Sequence, residues 1–277
     1  MKVIGLGDNV VDKYEHLRLM FPGGNALNFA VFAKKLGIDS AFLGAFGDDP
    51  EGRHVEESAA SLGIDLSHCR HYKGENGCAR VKLIDGDRVF QGSNRCGVLR
   101  TIGLKLLEDD FAYLMNFDLI HSSIYSFSEP YLEELKKHGA VISFDFSNNF
   151  TKEYLERTLP FVDYPIFSCS HLTEDEMKEL MNFSVEKGAR LVLCTRGSEG
   201  AWVLCDGQIY HQPPHLVEAK DTMAAGDSFL TCFLISLLSA KDSLSPSARI
   251  KDALERAAHF AAQQCLVQGS WGFGKPY

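Results

Sequence analysis

Short apolar runs alternate along this chain with longer helix-like runs closed by glycine, and that alternation leaves few architectures open. Residues 2–6 form an apolar run ended by Gly7-Asp8, and the helix-like run 29–36 is closed by Gly37. A strand at 40–45 and a helix at 51–62, ended by Gly63, repeat the unit. The alternation resumes with strands near 119–121, 141–145, 164–168 and 190–195, and helices near 129–138, 151–159 and 173–187. Such connections imply parallel strands joined by right-handed crossovers. Ala201–Cys205 and Gln208–His211 then form a hairpin about Asp206-Gly207, and an alanine-rich amphipathic helix spans 249–268. Between 79 and 91 the period changes to two, with a hairpin turn at Asp85-Gly86. Together with residues 13–20 this excursion predicts a small β-lid, its segments near 13–21 and 78–98. The expected fold is one three-layer α/β domain over residues 1–277, with helices on both faces of a mostly parallel central sheet.

Charge narrows the partners. With 28 Lys and Arg against 37 Asp and Glu, the chain carries a net charge of −9, so no basic surplus exists to neutralise nucleic acid or an anionic membrane. Any phosphate is held locally. The start of the chain breaks into Gly5, Gly7 and Asp8 too soon for a signal peptide, and no run is long enough to span a bilayer. Eight cysteines show no C-x-x-C spacing and read as buried free thiols in a reducing compartment. The expectation is a cytoplasmic protein.

Chemistry concentrates in a few stretches. Asp221-Thr222-Met223-Ala224-Ala225-Gly226-Asp227 brackets small residues with two acids and opens directly onto an apolar helix. Small residues at a helix start let a ligand approach the backbone, and first-turn N–H groups with the helix dipole favour an anion there. Asp227, in that first turn, is placed to accept a proton from a hydroxyl attacking a bound phosphate. An ordinary helix start with a first-turn acid has the same pattern. Pro22-Gly23-Gly24-Asn25-Ala26-Leu27-Asn28 precedes another helix-like run, and the Asn25 and Asn28 amides suit sugar hydroxyls, although a turn with an Asn cap accounts for them too. Asp12 falls just beyond the first strand, where an open parallel sheet places ligand contacts. Gly5-Leu6-Gly7 is no dinucleotide fingerprint, because the third glycine position is Val10.

These pieces, in this order, resemble the PfkB/ribokinase family of small-molecule kinases over nearly the full length. Asp221 to Asp227 matches that family's C-terminal signature, Pro22 to Asn28 its N-terminal glycine motif, and Thr195-Arg196-Gly197-Ser198-Glu199-Gly200 its nucleotide-side motif. The resemblance implies a ribokinase-like fold and transfer of phosphate from ATP, with Mg²⁺, to a primary hydroxyl. It implies that Asp227 is the catalytic base and that the N–H groups of Ala224, Ala225 and Gly226 form the anion hole. Asp12, Gly24, Asn25 and Asn28 match acceptor-contacting positions, and Thr195, Arg196, Gly197 and Gly200 the nucleotide turn. Asp221 matches a position that helps hold a monovalent cation, which implies potassium. Two residues depart from the pattern. Ala224 stands where most members have Gly, and its methyl leaves the N–H in place. Phe167 to Glu174 lacks the Asn of the metal motif, leaving Glu174 as the candidate to orient Mg²⁺ through water, or as a plain first-turn acid.

Within the family the chain is similar to the bacterial fructoselysine 6-kinase branch, through Gly7 to Asp12, Asp87 to Phe90, Phe144-Asp145-Phe146-Ser147 and Asp221-Thr222-Met223. That likeness implies a ketosamine acceptor phosphorylated at O6. Arg88 is the expected lid contact to substrate, or else a solvated hairpin arginine; His121 and Tyr125 follow a strand and are further candidates for the acceptor pocket, although a satisfied interior histidine accounts for His121 too. Fructokinase, ribokinase or keto-deoxy acid kinase activity, and a silent sugar or nucleotide sensor, stay open. Ribokinase-like relatives also imply a homodimer built through the lids.

Overall fold

The strand Lys2–Gly7 (β1) is buried from Val3 onward, because it lies in the middle of a sheet covered on both faces. The computed structural model describes residues 1–84, 87–240 and 244–277, and the backbone alone at 83, 84, 87 and 88. The turn expected at Asp85-Gly86 lies outside the described residues.

After β1 come β2 (Val10–Tyr14), β3 (Leu19–Gly23), α1 (Asn25–Lys35), β4 (Asp39–Gly47), α2 (Pro50–Ser61) and β5 (Arg70–Tyr72). The antiparallel pair β6 (Cys78–Ile84) and β7 (Asp87–Ser93) precedes α3 (Gly97–Ile102) and α4 (Glu108–Leu114). Alternation then resumes: β8 (Leu119–Ser123), α5 (Glu129–Lys137), β9 (Ile142–Asp145), α6 (Lys152–Thr158), β10 (Tyr164–Ser168), α7 (Glu174–Glu186) and β11 (Leu191–Thr195). The hairpin β12 (Ala201–Cys205) and β13 (Gln208–Gln212), helices α8 (Ala225–Leu238) and α9 (Pro246–Gln264), and β14 (Lys275–Pro276) complete the described strands and α-helices.

The main sheet runs β13-β12-β11-β10-β9-β8-β1-β4-β5. From β11 to β5 every neighbouring pair is parallel, while β12 and β13 close one edge antiparallel. Apolar residues of α5, α6 and α7, including Leu132, Leu155 and Met177, cover one face. Those of α1, α8 and α9, including Phe29, Phe233 and Leu254, cover the other. The expected three-layer architecture is therefore present. A second sheet, β14-β3-β2-β6-β7, contains both segments expected of the lid. It is anchored by Tyr14, Phe21 and Val81, which pack with Phe32, Val55 and Trp271. No helix among the described residues is long and apolar enough to cross a membrane.

Two helix starts differ from the sequence expectation. Helix α1 begins at Asn25, four residues before the apolar run at 29–36, because its first N–H groups are capped from a distant part of the chain. Helix α9 begins at Pro246, where Ser245 accepts a hydrogen bond from Ala248 N at 3.3 Å and proline occupies the first turn.

Candidate active site

The acid that caps α1 is Asp8, just past β1. Its Oδ2 accepts from Asn25 N at 2.7 Å and its Oδ1 from Ala26 N at 3.2 Å. The Ser123 and Ser126 hydroxyls donate to the same carboxylate at 3.0 and 2.8 Å. Gly24, at φ 109°, makes the close approach that this requires, since a Cβ there would lie 2.5 Å from Asn9 Cα. Only this pinned start turns Asn25 and Asn28, three residues apart on one helix face, toward α8.

Asp227 stands in the first turn of α8 and receives both amides. Asn25 Nδ2 donates to Oδ1 at 3.0 Å and Asn28 Nδ2 to Oδ2 at 2.6 Å. Trp271 Nε1 donates to Asn28 Oδ1 at 2.8 Å, which fixes the orientation of that buried amide. Asn25 Nδ2 also donates to Asp145 Oδ2 at 2.8 Å. Asp145 ends β9, and Ser147 N donates to its other oxygen at 2.7 Å. Burial, and then the negative charge of Asp227, push the Asp145 carboxyl up to about 7. Behind Asn25 lies His121 on β8, fully buried, with Nε2 2.9 Å from Asn25 Oδ1 and Nδ1 2.9 Å from Ser143 Oγ. Burial lowers its imidazole to about 3, so it is neutral. Tyr125 is exposed nearby, its hydroxyl donating to Ser147 Oγ at 3.1 Å.

Beside this cluster runs a groove of about 520 Å³. Thr195, Gly197 and Gly200 line it together with Ala225 and Gly226, while Leu216, Val217, Ala258 and Ala262 give it an apolar wall. Ala224 precedes α8 in the left-handed conformation, φ 57°, and so turns the chain into the helix. Nothing lies within 4 Å of the place a Gly226 side chain would take, so the backbone is bare where it meets the groove. A carboxylate held by two amides, beside bare first-turn backbone at the positive end of a helix, can take a proton from a hydroxyl while the helix start stabilises an anion.

The remaining candidates are spread around this centre. Asp12 is buried on β2, in register opposite Phe21 on β3. Arg196 is not among the groove's lining residues; its guanidinium lies 5.6 Å from the Trp202 ring and 3.4 Å from Glu199. Asp221 is fully buried, and its carboxylate accepts from Tyr14 Oη at 2.7 Å, Gly269 N at 2.8 Å and Met223 N at 3.0 Å. Glu174, in the first turn of α7, is exposed and paired with Lys178 at 2.6 Å, off the groove's lining. The Arg88 side chain lies outside the described residues. Sequence reasoning did not give Asp8, Asp145 or Trp271 a place at the site. For Asp8 and Asp145 the available signal was an acid at the C-terminal end of a strand; Trp271 had none.

The chain matches the family described as pfkB family carbohydrate kinase over residues 8–272. It is 40% identical to the fructosamine kinase FrlD of Bacillus subtilis, covering 100% of this chain and 95% of that protein. It is 33% identical to the fructoselysine 6-kinase of Escherichia coli, covering 96% and 98% respectively. Among solved structures, the ribokinase of Giardia lamblia superposes with a TM-score of 0.81 at 19% identity, over 97% of this chain and 94% of that one.

Proposed function

The chain belongs to the PfkB family of carbohydrate kinases, and from that premise we propose that it transfers the γ-phosphate of ATP to O6 of fructoselysine or a related ketosamine. It is an ATP-dependent sugar kinase; the acceptor is the part that this reading adds. The single observation carrying the chemistry is Asp227, held by Asn25 and Asn28 at the start of α8, next to the groove that Thr195, Gly197 and Gly200 line. Two amide donors favour the charged carboxylate, the form needed to accept the acceptor hydroxyl's proton. The first-turn backbone of Ala224, Ala225 and Gly226 serves as the anion hole, and Gly24 and Asp12 lie on the acceptor side. Names of relatives support the ketosamine: one is a fructosamine kinase and another a fructoselysine 6-kinase.

Mg²⁺ bound to ATP would be held chiefly by phosphate oxygens and waters, and supplies charge neutralisation at the transferring phosphoryl. Glu174 fits as an outer ligand through water only if it leaves Lys178. Asp221 fits a monovalent cation better: it is a fully buried carboxylate, and its three donors are neutral. We place the protein in the cytoplasm, which suits its eight free cysteines, and as a homodimer through the second sheet, where Val89 and Phe90 are exposed. Sedimentation at micromolar concentration checks the dimer; a monomer there removes it.

The deciding experiment is ATP consumption with Mg²⁺ against fructoselysine, fructose, ribose, a keto-deoxy sugar acid and no sugar. Highest kcat/KM on fructoselysine is the expected result. Preference for a free sugar keeps the kinase and discards the ketosamine. Asp227→Asn is expected to fold normally and lose at least ~100-fold in kcat; turnover near wild type in that variant would remove Asp227 as the base.

A further inference from the structure

We infer that His121 is a positioning residue: through the Asn25 amide it holds both amide N–H groups on carboxylates, Asp227 and Asp145. The inference rests on the reading of Asp227 as the base. It follows from hydrogen-bond polarity alone. One terminal atom of the Asn25 side chain lies 2.8 Å from an Asp145 oxygen and 3.0 Å from an Asp227 oxygen. The ionised Asp227 only accepts, so the atom facing it is the nitrogen, and the second N–H of that nitrogen goes to Asp145. The amide oxygen therefore faces His121 Nε2 at 2.9 Å and requires a donor there.

A neutral imidazole has one N–H, so the proton sits on Nε2 and Nδ1 must accept. Its neighbour at 2.9 Å is the Ser143 hydroxyl, which can donate. The burial that keeps His121 neutral includes the Phe29 ring, stacked at 4.4 Å between centroids. Polarity thus runs one way, from Ser143 on β9 to His121 on β8, to Asn25 on α1, and on to Asp227 on α8. The β8–β9 register, His121 opposite Ser143, builds the first link into the sheet.

An apolar residue at 121 leaves Asn25 Oδ1 without its donor, so the amide is no longer held from behind and its N–H contact to Asp227 weakens. The charged form of Asp227 is less favoured, while the ionisable groups around it remain in place: Asp145 at the end of β9, Asp8 behind that acid, and, on the far side of Asn28, Asp12 on β2, whose Oδ2 and the Asn28 Oδ1 both lie within 4 Å of the place a Gly23 Cβ would take. The acid side of the kcat/KM profile should consequently move to higher pH, a change that a packing defect does not make.

The test is the pH dependence of kcat and kcat/KM for His121→Leu, His121→Gln and Ser143→Ala, with the acceptor that wild type prefers. His121→Leu is expected to lose about tenfold or more in kcat, with acceptor KM changed less than about threefold, and to shift the acid limb upward. His121→Gln keeps a donor near the Nε2 position and should restore the wild-type limb; Ser143→Ala should move it in the same direction as leucine, by less. An unshifted limb in His121→Leu overturns the inference. If that variant does not fold, Ser143→Ala and the ¹⁵N spectrum of the wild-type enzyme decide. The spectrum should show His121 neutral with the proton on Nε2 between about pH 5 and pH 9; a proton on Nδ1, or an imidazolium titrating in that range, overturns it. Asp227→Asn separates the two readings. Full turnover there removes the base, whereas an inactive Asp227→Asn beside an unshifted His121→Leu removes only the role of His121.

Discussion

Asp145 is held protonated further up the pH scale than an ordinary carboxyl, first by burial and then by the charge of Asp227. Its folded pKa, about 7, lies above the value near 4 expected of the unfolded chain. The unfolded chain therefore gives up this proton first as pH rises. The contribution of Asp145 to stability is fully present below about pH 4, declines through the interval, and is lost once pH has risen through about 7. Replacing it with asparagine removes the titration. The difference in unfolding free energy between wild type and Asp145→Asn should move against the wild type from about pH 4 to pH 7 and stay flat above, at about 1.4 kcal/mol per unit of pKa difference. Thermal unfolding followed across that range measures it. A difference that does not vary with pH would mean that Asp145 ionises as freely in the folded protein as in the unfolded one. Sequence marked Asp145 only as part of a short motif. Its coupling to Asp227 depends on α1 carrying Asn25 between them, and no spacing along the chain encodes that contact.

At the scale of elements, α8 joins two demands. Its apolar residues, including Phe229, Leu230 and Phe233, belong to the core, while its first turn faces a groove. This was legible because a mostly apolar run, Phe229 to Leu238, follows small residues and an acid, and Asp227 stands in the first turn that this pattern predicts. The start of α1 was not legible. Its cap, Asp8, lies 17 residues upstream of Asn25 with the β2–β3 hairpin between them, so the local window around Asn25 holds no acid to announce the helix. Gly226 separates the two demands on α8. A methyl group there meets nothing within 4 Å beyond its chain neighbours and the backbone of its own helix, and alanine is the better helix former. Gly226→Ala is expected to keep or slightly raise the urea unfolding midpoint, yet to lose ~100-fold or more in kcat/KM, because the methyl enters the space where the transferring phosphoryl would sit. Unchanged kinetics would place the phosphoryl elsewhere along the groove.

Over the whole molecule, the alternation of apolar runs was enough to reveal the parallel sheet, since buried parallel strands carry a continuous apolar signal. The helices α3 and α4 and the strands β5 and β14 were missed; all are short, and only their packing distinguishes them from loop. How the second sheet is fastened was equally hidden, because the fastening joins residues far apart in sequence. Lys13 on β2 pairs with Glu51 of α2 at 2.6 Å, both largely shielded from solvent. Tyr14 on the same strand donates to Asp221 ahead of α8, and Gly269, beyond α9, donates to the same oxygen. That single buried carboxylate thus ties together the second sheet, the approach to the start of α8 and the C-terminal loop. Tyr14→Phe keeps the ring that packs edge-on against Phe21, at 5.0 Å between centroids, and removes only the donor. A buried charge that loses one of three donors costs about 1–3 kcal/mol, so the urea midpoint should fall accordingly. If the second sheet is bound to the main body as one cooperative unit, the unfolding curve stays a single transition with an unchanged slope. A separate early transition in Tyr14→Phe would instead show that this hydrogen bond was what made the two sheets unfold together.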